Sequence, residues 1–191
     1  MSVTTPNHLD CSYDIVCGLI DILSAALNYG DTVPRVNPED VEAVLDATRV
    51  LRPKLAELGA FEAMLHIQRG HWDDAIHVLT QVSAAAPGFW YAKALMALCL
   101  SSRGDDDWRQ WAAQVLEETT DRNARKLVRA LKAKDDLREA TLALETTGKF
   151  EVPLSIALLG DEDDQSEPLL EAPKVAPLQD EAIAQQGYLR I

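Results

Sequence analysis

Histidine, cysteine and carboxylate side chains are where chemistry would be expected in this chain. His66, His71 and His77 lie close together in the sequence. A zinc site built on one helix wants two imidazoles at i and i+4, with further ligands at fixed offsets. These three are not so spaced, His66 and His77 fall on different predicted helices, and no Asp–His or Glu–His pairing recurs around them. They read as structural histidines, and neither a metal nor a cofactor is expected. Asp105-Asp106-Asp107 has the acidity of a calcium loop, but the remaining ligand positions and the closing glutamate are missing. A solvated turn ahead of a helix, where the dipole favours negative charge, explains it better. Cys11, Cys17 and Cys99 show no C-x-x-C spacing. They read as reduced, mostly buried thiols. No serine sits in a nucleophile elbow and no glycine-rich loop follows a strand, so an enzyme is not expected.

The charge narrows the partners. The net charge is −13, but residues 35–147 carry 18 acids against 15 basic residues, and the excess lies at the two ends. A near-neutral middle in an acidic chain argues against nucleic acid, because phosphate binding needs a basic face. No apolar run reaches the length of a membrane span, and no basic n-region marks a secretory signal. The default compartment is therefore the cytoplasm, with export by a dedicated apparatus to the periplasm as the alternative.

The elements that must position any surface are all helical in period. Residues 56–87, AELGAFEAMLHIQRGHWDDAIHVLTQVSAAAP, hold two helical patterns that meet at Gly-His-Trp. Gly70 stands where the first helix must stop in a left-handed cap. Asp73 and Asp74 fall in the first turn of the next helix, and Pro87 ends the unit. Ala75 is small where two antiparallel helices would come closest. This is a helix-turn-helix pair the size of a tetratricopeptide (TPR) repeat, about 34 residues. A step of 34 back from Ala75, Leu79, Val82 and Pro87 lands on Val41, Leu45, Thr48 and Pro53; the same step forward from Ala63 and Gly70 gives Ala97 and Gly104. Trp108 then lies four past Gly104 where Trp72 lies two past Gly70, which predicts a short insertion drawn from Asp105–Asp107, with the two tryptophans equivalent.

In chain order, residues 1–8 are expected to be disordered. A helix from about Leu9 to Asn28 carries one broad apolar stripe of Ile15, Val16, Leu19, Ile20, Leu23, Ala26 and Leu27. A loop with Gly30 and Pro34 precedes Asn37-Pro38-Glu39-Asp40, a capping asparagine with proline at the first helical position. After the pair at 56–87 come helices at Trp90–Ser102 and Asp107–Thr119, then one capped by Asp121 and running to about Thr146. The predicted class is all-α: a TPR-like helical-hairpin solenoid of about three repeats over 9–147, with a C-terminal capping helix and a mostly disordered, acidic, proline-containing tail over 148–191, whose short Leu-rich segments can pack back on the solenoid.

Repeat geometry indicates the binding surface. First helices of TPR pairs line the concave side, which here would present Ala60, Met64, Ile67 and Gln68 from one pair and Tyr91, Ala94, Leu98, Ser101 and Ser102 from the next. None is cationic, so an apolar groove for an amphipathic helix or an extended apolar segment fits better than a carboxylate clamp. Trp72, Trp90, Trp108 and Trp111 read mainly as core, with an interface anchor as the alternative. The helix after Asp121 bears Arg122, Arg125, Lys126, Arg129, Lys132, Lys134 and Arg138. It reads as a solvated capping helix; an anion-facing surface centred on Arg122, Arg125, Arg129 and Lys132 is the sharper alternative.

AVLDATRVLRP at 43–53, HIQRGHWDDAIHVL, and APGFWYAKALMALCLSSRGDDDWRQWA together resemble the small HrpB/HrpK-type proteins of bacterial type III secretion systems, over about residues 10–135. The resemblance implies a TPR-like fold, in the style of type III chaperones, and an accessory role in assembling the secretion apparatus; it brings no catalytic residues. Two functions are then expected to compete. One is a non-enzymatic chaperone or scaffold whose apolar groove holds a needle or rod subunit or an early substrate. The other is a structural component, self-associated in one version, that binds an anionic envelope surface through the basic helix.

Overall fold

Side-chain caps mark the starts of two helices, at Pro38 and Arg122. In the computed structural model, which describes residues 11–28 and 36–160, every regular element is helical: α1 (Tyr13–Asn28), α2 (Pro38–Leu51), α3 (Leu58–Gln68), α4 (Trp72–Ala85), α5 (Trp90–Arg103), α6 (Trp108–Glu118), α7 (Arg122–Thr147) and α8 (Leu154–Gly160). The α1 helix starts later than its apolar pattern suggests, because Ser12 Oγ accepts from the Asp14 amide at 3.2 Å. Asn37 caps α2 through its side chain, which accepts from the Glu39 amide at 3.2 Å, with Pro38 at the first helical position. Asp121 Oδ1 accepts from the Ala124 amide at 2.9 Å and starts α7. That helix runs unbroken past Asp135-Asp136 to Gly148, whose φ of 71° closes it.

The chain divides into two compact units, the first through Phe89 and the second from Trp90. In the first unit α1 packs on α2 and α3, and α3 packs on α2 and α4. Val16, Ile20, Leu23 and Leu27 meet Val41, Leu45, Leu58, Phe61 and Leu65 in one core, with Met64 and Leu55 at its edge. Two ion pairs tie α2 antiparallel to α3: Arg49 with Glu62, and Arg69 Nη1 with Glu42 Oε1 at 2.6 Å. The Arg69 hydrogen bond holds the Glu42 carboxyl below its usual range. In the second unit α5 packs on α6 and α7, α6 on α7, and α7 on α8.

The 34-residue period is visible atom by atom. Gly70 and Gly104 adopt φ of 76° and 75°. Beside them the His71 amide donates to the His66 carbonyl at 2.9 Å and the Asp105 amide to the Leu100 carbonyl at 3.0 Å. Both are the 6→1 bond of a Schellman reversal. Buried Leu58, Ala60, Phe61, Ala63 and Leu65 on α3 recur as buried Ala92, Ala94, Leu95, Ala97 and Cys99 on α5. On the second helices, Val41, Leu45 and Thr48 recur as Ala75, Leu79 and Val82, all buried. Their ends match as well: Arg52 N–H donates to the Thr48 carbonyl at 2.9 Å, and Ala86 N–H to the Val82 carbonyl at 2.8 Å.

Three expectations are corrected. First, Trp108 is not the counterpart of Trp72. The burial spacing and the closing bond, from the Thr119 amide to the Val115 carbonyl at 3.4 Å, set Trp108, Ala112 and Val115 against Ala75, Leu79 and Val82. Asp105–Asp107 form hydrogen-bonded turns where α4 has its first helical turn, so the third pair is shortened rather than lengthened. Second, the buried stripe on α1 is narrower than expected, since Ile15 points to solvent and Leu19 is only half-buried. Third, the stretch 149–160 of the tail, expected to be mostly disordered, holds one regular element. Pro153 opens the short α8, which packs on α7. The expected disorder of 1–8, the turn at Gly30 and the tail from 161 onward lie outside the described residues.

Close approach sets the α3–α4 pair. Ala75 is 0% exposed, and a Cβ built on Gly59 would come within 2.5 Å of Val82 Cγ2, a stiff β-branched side chain. Replacing Ala75 by Leu should cost roughly 1–3 kcal/mol through overpacking. Replacing a mid-helix glycine by alanine ordinarily stabilises by about 0.5–1 kcal/mol. Gly59→Ala should instead destabilise, and should recover its ordinary sign in a Val82→Ala background. Urea midpoints of the two single variants and the double variant check both statements.

Candidate functional site

On the first unit, the expected groove residues of α3 differ in what they can offer. Ala60 is buried and belongs to the core. Met64 is half-buried against the α1–α2–α3 core, and Ile67 is half-buried. The Gln68 side chain is already engaged, since its Nε2 donates to the Leu27 carbonyl at 3.3 Å and satisfies one of the orphan acceptors at the end of α1.

On the second unit, Ala94 is completely buried, whereas Tyr91, Leu98 and Ser101 on α5 are half-buried. Burial, and then the nearby Asp121 carboxylate, push the Tyr91 phenol above its ordinary pKa. Trp90 beside it is covered on one side by Lys93 Nζ, 3.9 Å from the ring centroid. Trp108 is buried, while Trp72, Trp90 and Trp111 are half-buried.

The basic residues of α7 differ in what they already hold. Arg125 Nη1 donates to the Leu116 carbonyl at 2.7 Å and to the Thr119 carbonyl at 3.0 Å, so it closes the end of α6. Arg129 is half-buried and engaged as well. Arg122 and Lys132 are exposed. Arg109 on α6 joins the same two helices through Asp135 Oδ2 at 2.6 Å.

What the sequence pattern missed is the outer face of α1. Ile15 and Ile22 are 56% and 57% exposed, Leu19 lies between them half-buried, and Tyr13 is exposed nearby. The i, i+4, i+7 spacing puts the three aliphatic residues on one side of the helix. A narrower estimate of the buried stripe would have found it, since four positions suffice for the core. A second exposed apolar group, including Leu137, Leu144, Phe150 and Leu154, lies on the distal part of α7 and around α8.

The histidines are also rearranged. His77 pairs with Gln81 at 2.9 Å on its own helix. The reversal at Gly70 brings His71 back beside His66, with ring centroids 6.3 Å apart, and His71 Nδ1 lies 3.9 Å from Asp74 Oδ2. An Asp–His pairing thus exists that linear spacing did not reveal. Cys11 and Cys17 are half-buried free thiols, and burial pushes the fully covered Cys99 up to about 11.

Two measurements follow from this geometry. Arg125→Ala should cost roughly 1–3 kcal/mol, because two carbonyls lose a charged donor, while exposed Arg122→Ala should stay within about 0.5 kcal/mol of wild type; chemical denaturation separates them. With a pKa of about 11, Cys99 should resist iodoacetamide in the native protein at pH 8, where only about one thiol in a thousand is ionised, whereas Cys11 and Cys17 react. The linked stability should fall as pH rises from about 9 to about 11, since the unfolded thiol ionises first.

No helix among the described residues is long and apolar enough to cross a membrane. No curated protein and no solved structure matches the chain. Residues 6–137 match the family described as bacterial type III secretion protein (HrpB1_HrpK). That span takes in α1 through α6 and the larger part of α7, the same hairpins that carry the glycine reversals and buried spines. The chain belongs to this family of bacterial type III secretion proteins.

Proposed function

We propose that this type III secretion protein is a non-enzymatic chaperone or scaffold that holds an apparatus subunit or an early secretion substrate against apolar side chains of its first-in-pair helices. The observation that carries the reading is the outer face of α1, where Ile15, Leu19 and Ile22 leave an aliphatic stripe open to solvent on a helix that already has a complete core face. Exposed apolar groups at helical spacing are the recognition chemistry of an amphipathic helix laid against a helical surface. Half-buried Met64 and Ile67 on α3, and Tyr91 and Leu98 on α5, extend the set within their own units. The binding surface is apolar and the partner contributes an apolar helical or extended segment.

A second reading, contact with an anionic envelope surface through α7, draws on exposed Arg122 and Lys132. It is the weaker one, because Arg125 already satisfies two backbone carbonyls and Arg129 is engaged. Arg125 is therefore a poor charge-reversal probe, as its loss opens the α6–α7 joint.

A pull-down of secretion-apparatus components separates the readings. Ile15→Asp with Ile22→Asp should release the partner by roughly thirtyfold or more, the effect of losing a 2 kcal/mol anchor. Met64→Ala with Ile67→Ala, and Tyr91→Ala with Leu98→Ala, should weaken it. Arg122→Glu with Lys132→Glu should leave it bound, and binding should survive moderate salt. Retention by the aspartate pair with loss by the glutamate pair would give the case to the envelope surface. Helicity of each variant, followed by circular dichroism, shows that the comparison is made on folded protein.

A further inference from the structure

We propose that the α3–α4 reversal is a binding site for a single first-row divalent ion of the zinc type, ligated by His66, His71 and Asp74. Ligand atoms of these three residues lie within 4.8 Å of one another. The backbone forces the proximity. In a Schellman reversal the side chains on either side of the left-handed glycine meet, usually as a hydrophobic contact. Here those two positions hold His66 and His71, joined by the 2.9 Å bond from the His71 amide to the His66 carbonyl. At the equivalent reversal of the next pair they hold Leu100 and Asp105, so the geometry is general and the donor set belongs to this turn. Asp74 enters from the first turn of α4, with its Oδ2 3.9 Å from His71 Nδ1.

The surroundings of His66 favour ligation over a simple capping pair. Its Nδ1 is buried without a hydrogen-bond partner. Its Nε2 faces Glu62 Oε1 at 4.0 Å, while the other oxygen of Glu62 is taken by Arg49. Drawn in to hydrogen-bond length, that carboxylate would be the outer-shell partner that fixes the tautomer and leaves Nδ1 with its lone pair. Two imidazoles and one carboxylate suit zinc, cobalt or nickel rather than calcium or magnesium, which take oxygen ligands. Tetrahedral bonds of about 2.0–2.2 Å require the donors to close in by about 1 Å or more, and the exposed side chains of His71 and Asp74 can rotate to do so. Water would complete the four-coordinate shell. Bound there, the ion would staple the end of α3 to the start of α4.

Tag-free, full-length protein, stripped with chelator, can be titrated with zinc chloride by calorimetry and with cobalt chloride by visible absorption. The expected result is one ion per chain, tetrahedral cobalt d–d bands, and a higher thermal midpoint with zinc. His66→Gln and His71→Gln should each lower affinity by about tenfold or more, and Glu62→Gln by roughly ten- to a hundredfold, the outer-shell range. His77→Gln should bind as wild type does. Because His71 is exposed, its variant tests the site without disturbing the core. Absence of zinc binding by the wild-type protein, or affinity that His71→Gln leaves unchanged, would overturn the proposal.

Discussion

The α3–α4 and α5–α6 pairs depend on a backbone reversal that only glycine makes without strain. A residue with a Cβ is destabilised by about 1–2 kcal/mol in the left-handed region, and Gly70 and Gly104 both occupy it, with φ of 76° and 75°. From that single torsion follow the 6→1 hydrogen bond, the direction in which the next helix leaves, and the face it turns toward its partner. The buried spines of α3 and α5 then correspond residue for residue across the 34-residue step, although their side chains differ. Packing tolerates exchange of Phe61 for Leu95 or Leu65 for Cys99 as long as the reversal is kept. The same constraint brings His66 and His71 together, so one backbone device both builds the hairpin and creates its most distinctive cluster of donors.

Much of this was legible in the residues, for physical reasons that can be named. Asn37-Pro38 specifies a helix start because one residue supplies the cap and the other has a preset φ, and α2 begins there. Gly70 specifies a stop by its unique freedom. The all-α class and the period came from the spacing of apolar residues. Where the pattern misled, the missing information was tertiary. Periodicity identifies an apolar stripe but not its buried width, so Ile15 falls in one stripe with Val16 and Leu23, whereas the packing partners of α1 cover only the latter two. Aligning Trp108 with Trp72 used residue type, whereas burial and the closing hydrogen bond align it with Ala75. Arg125 looked like a surface cation because nothing in sequence shows that the end of α6 lies within its reach.

Several residues expected to bind a partner are already committed to the fold. Long basic side chains on α6 and α7 are partly consumed in closing the joint between those helices, through Arg125 to carbonyls and Arg109 to Asp135. Ala60 and Ala94 are committed to close packing, and Gln68 to capping α1. Ile15, Leu19 and Ile22 carry no such duty. The exposed apolar group around α8 lies mostly beyond residue 137, where the family match ends. The central claim therefore rests on α1.

Site-specific photo-crosslinking in cells assembling the secretion apparatus tests that claim most directly. A benzophenone amino acid placed at position 15 or 22 reports whatever lies against the outer face of α1, while positions 80 and 132, both exposed, report other surfaces. The account predicts a discrete adduct with an apparatus component or early substrate from positions 15 and 22, and none from position 80. No adduct at either α1 position, with a discrete one from position 132, would contradict it.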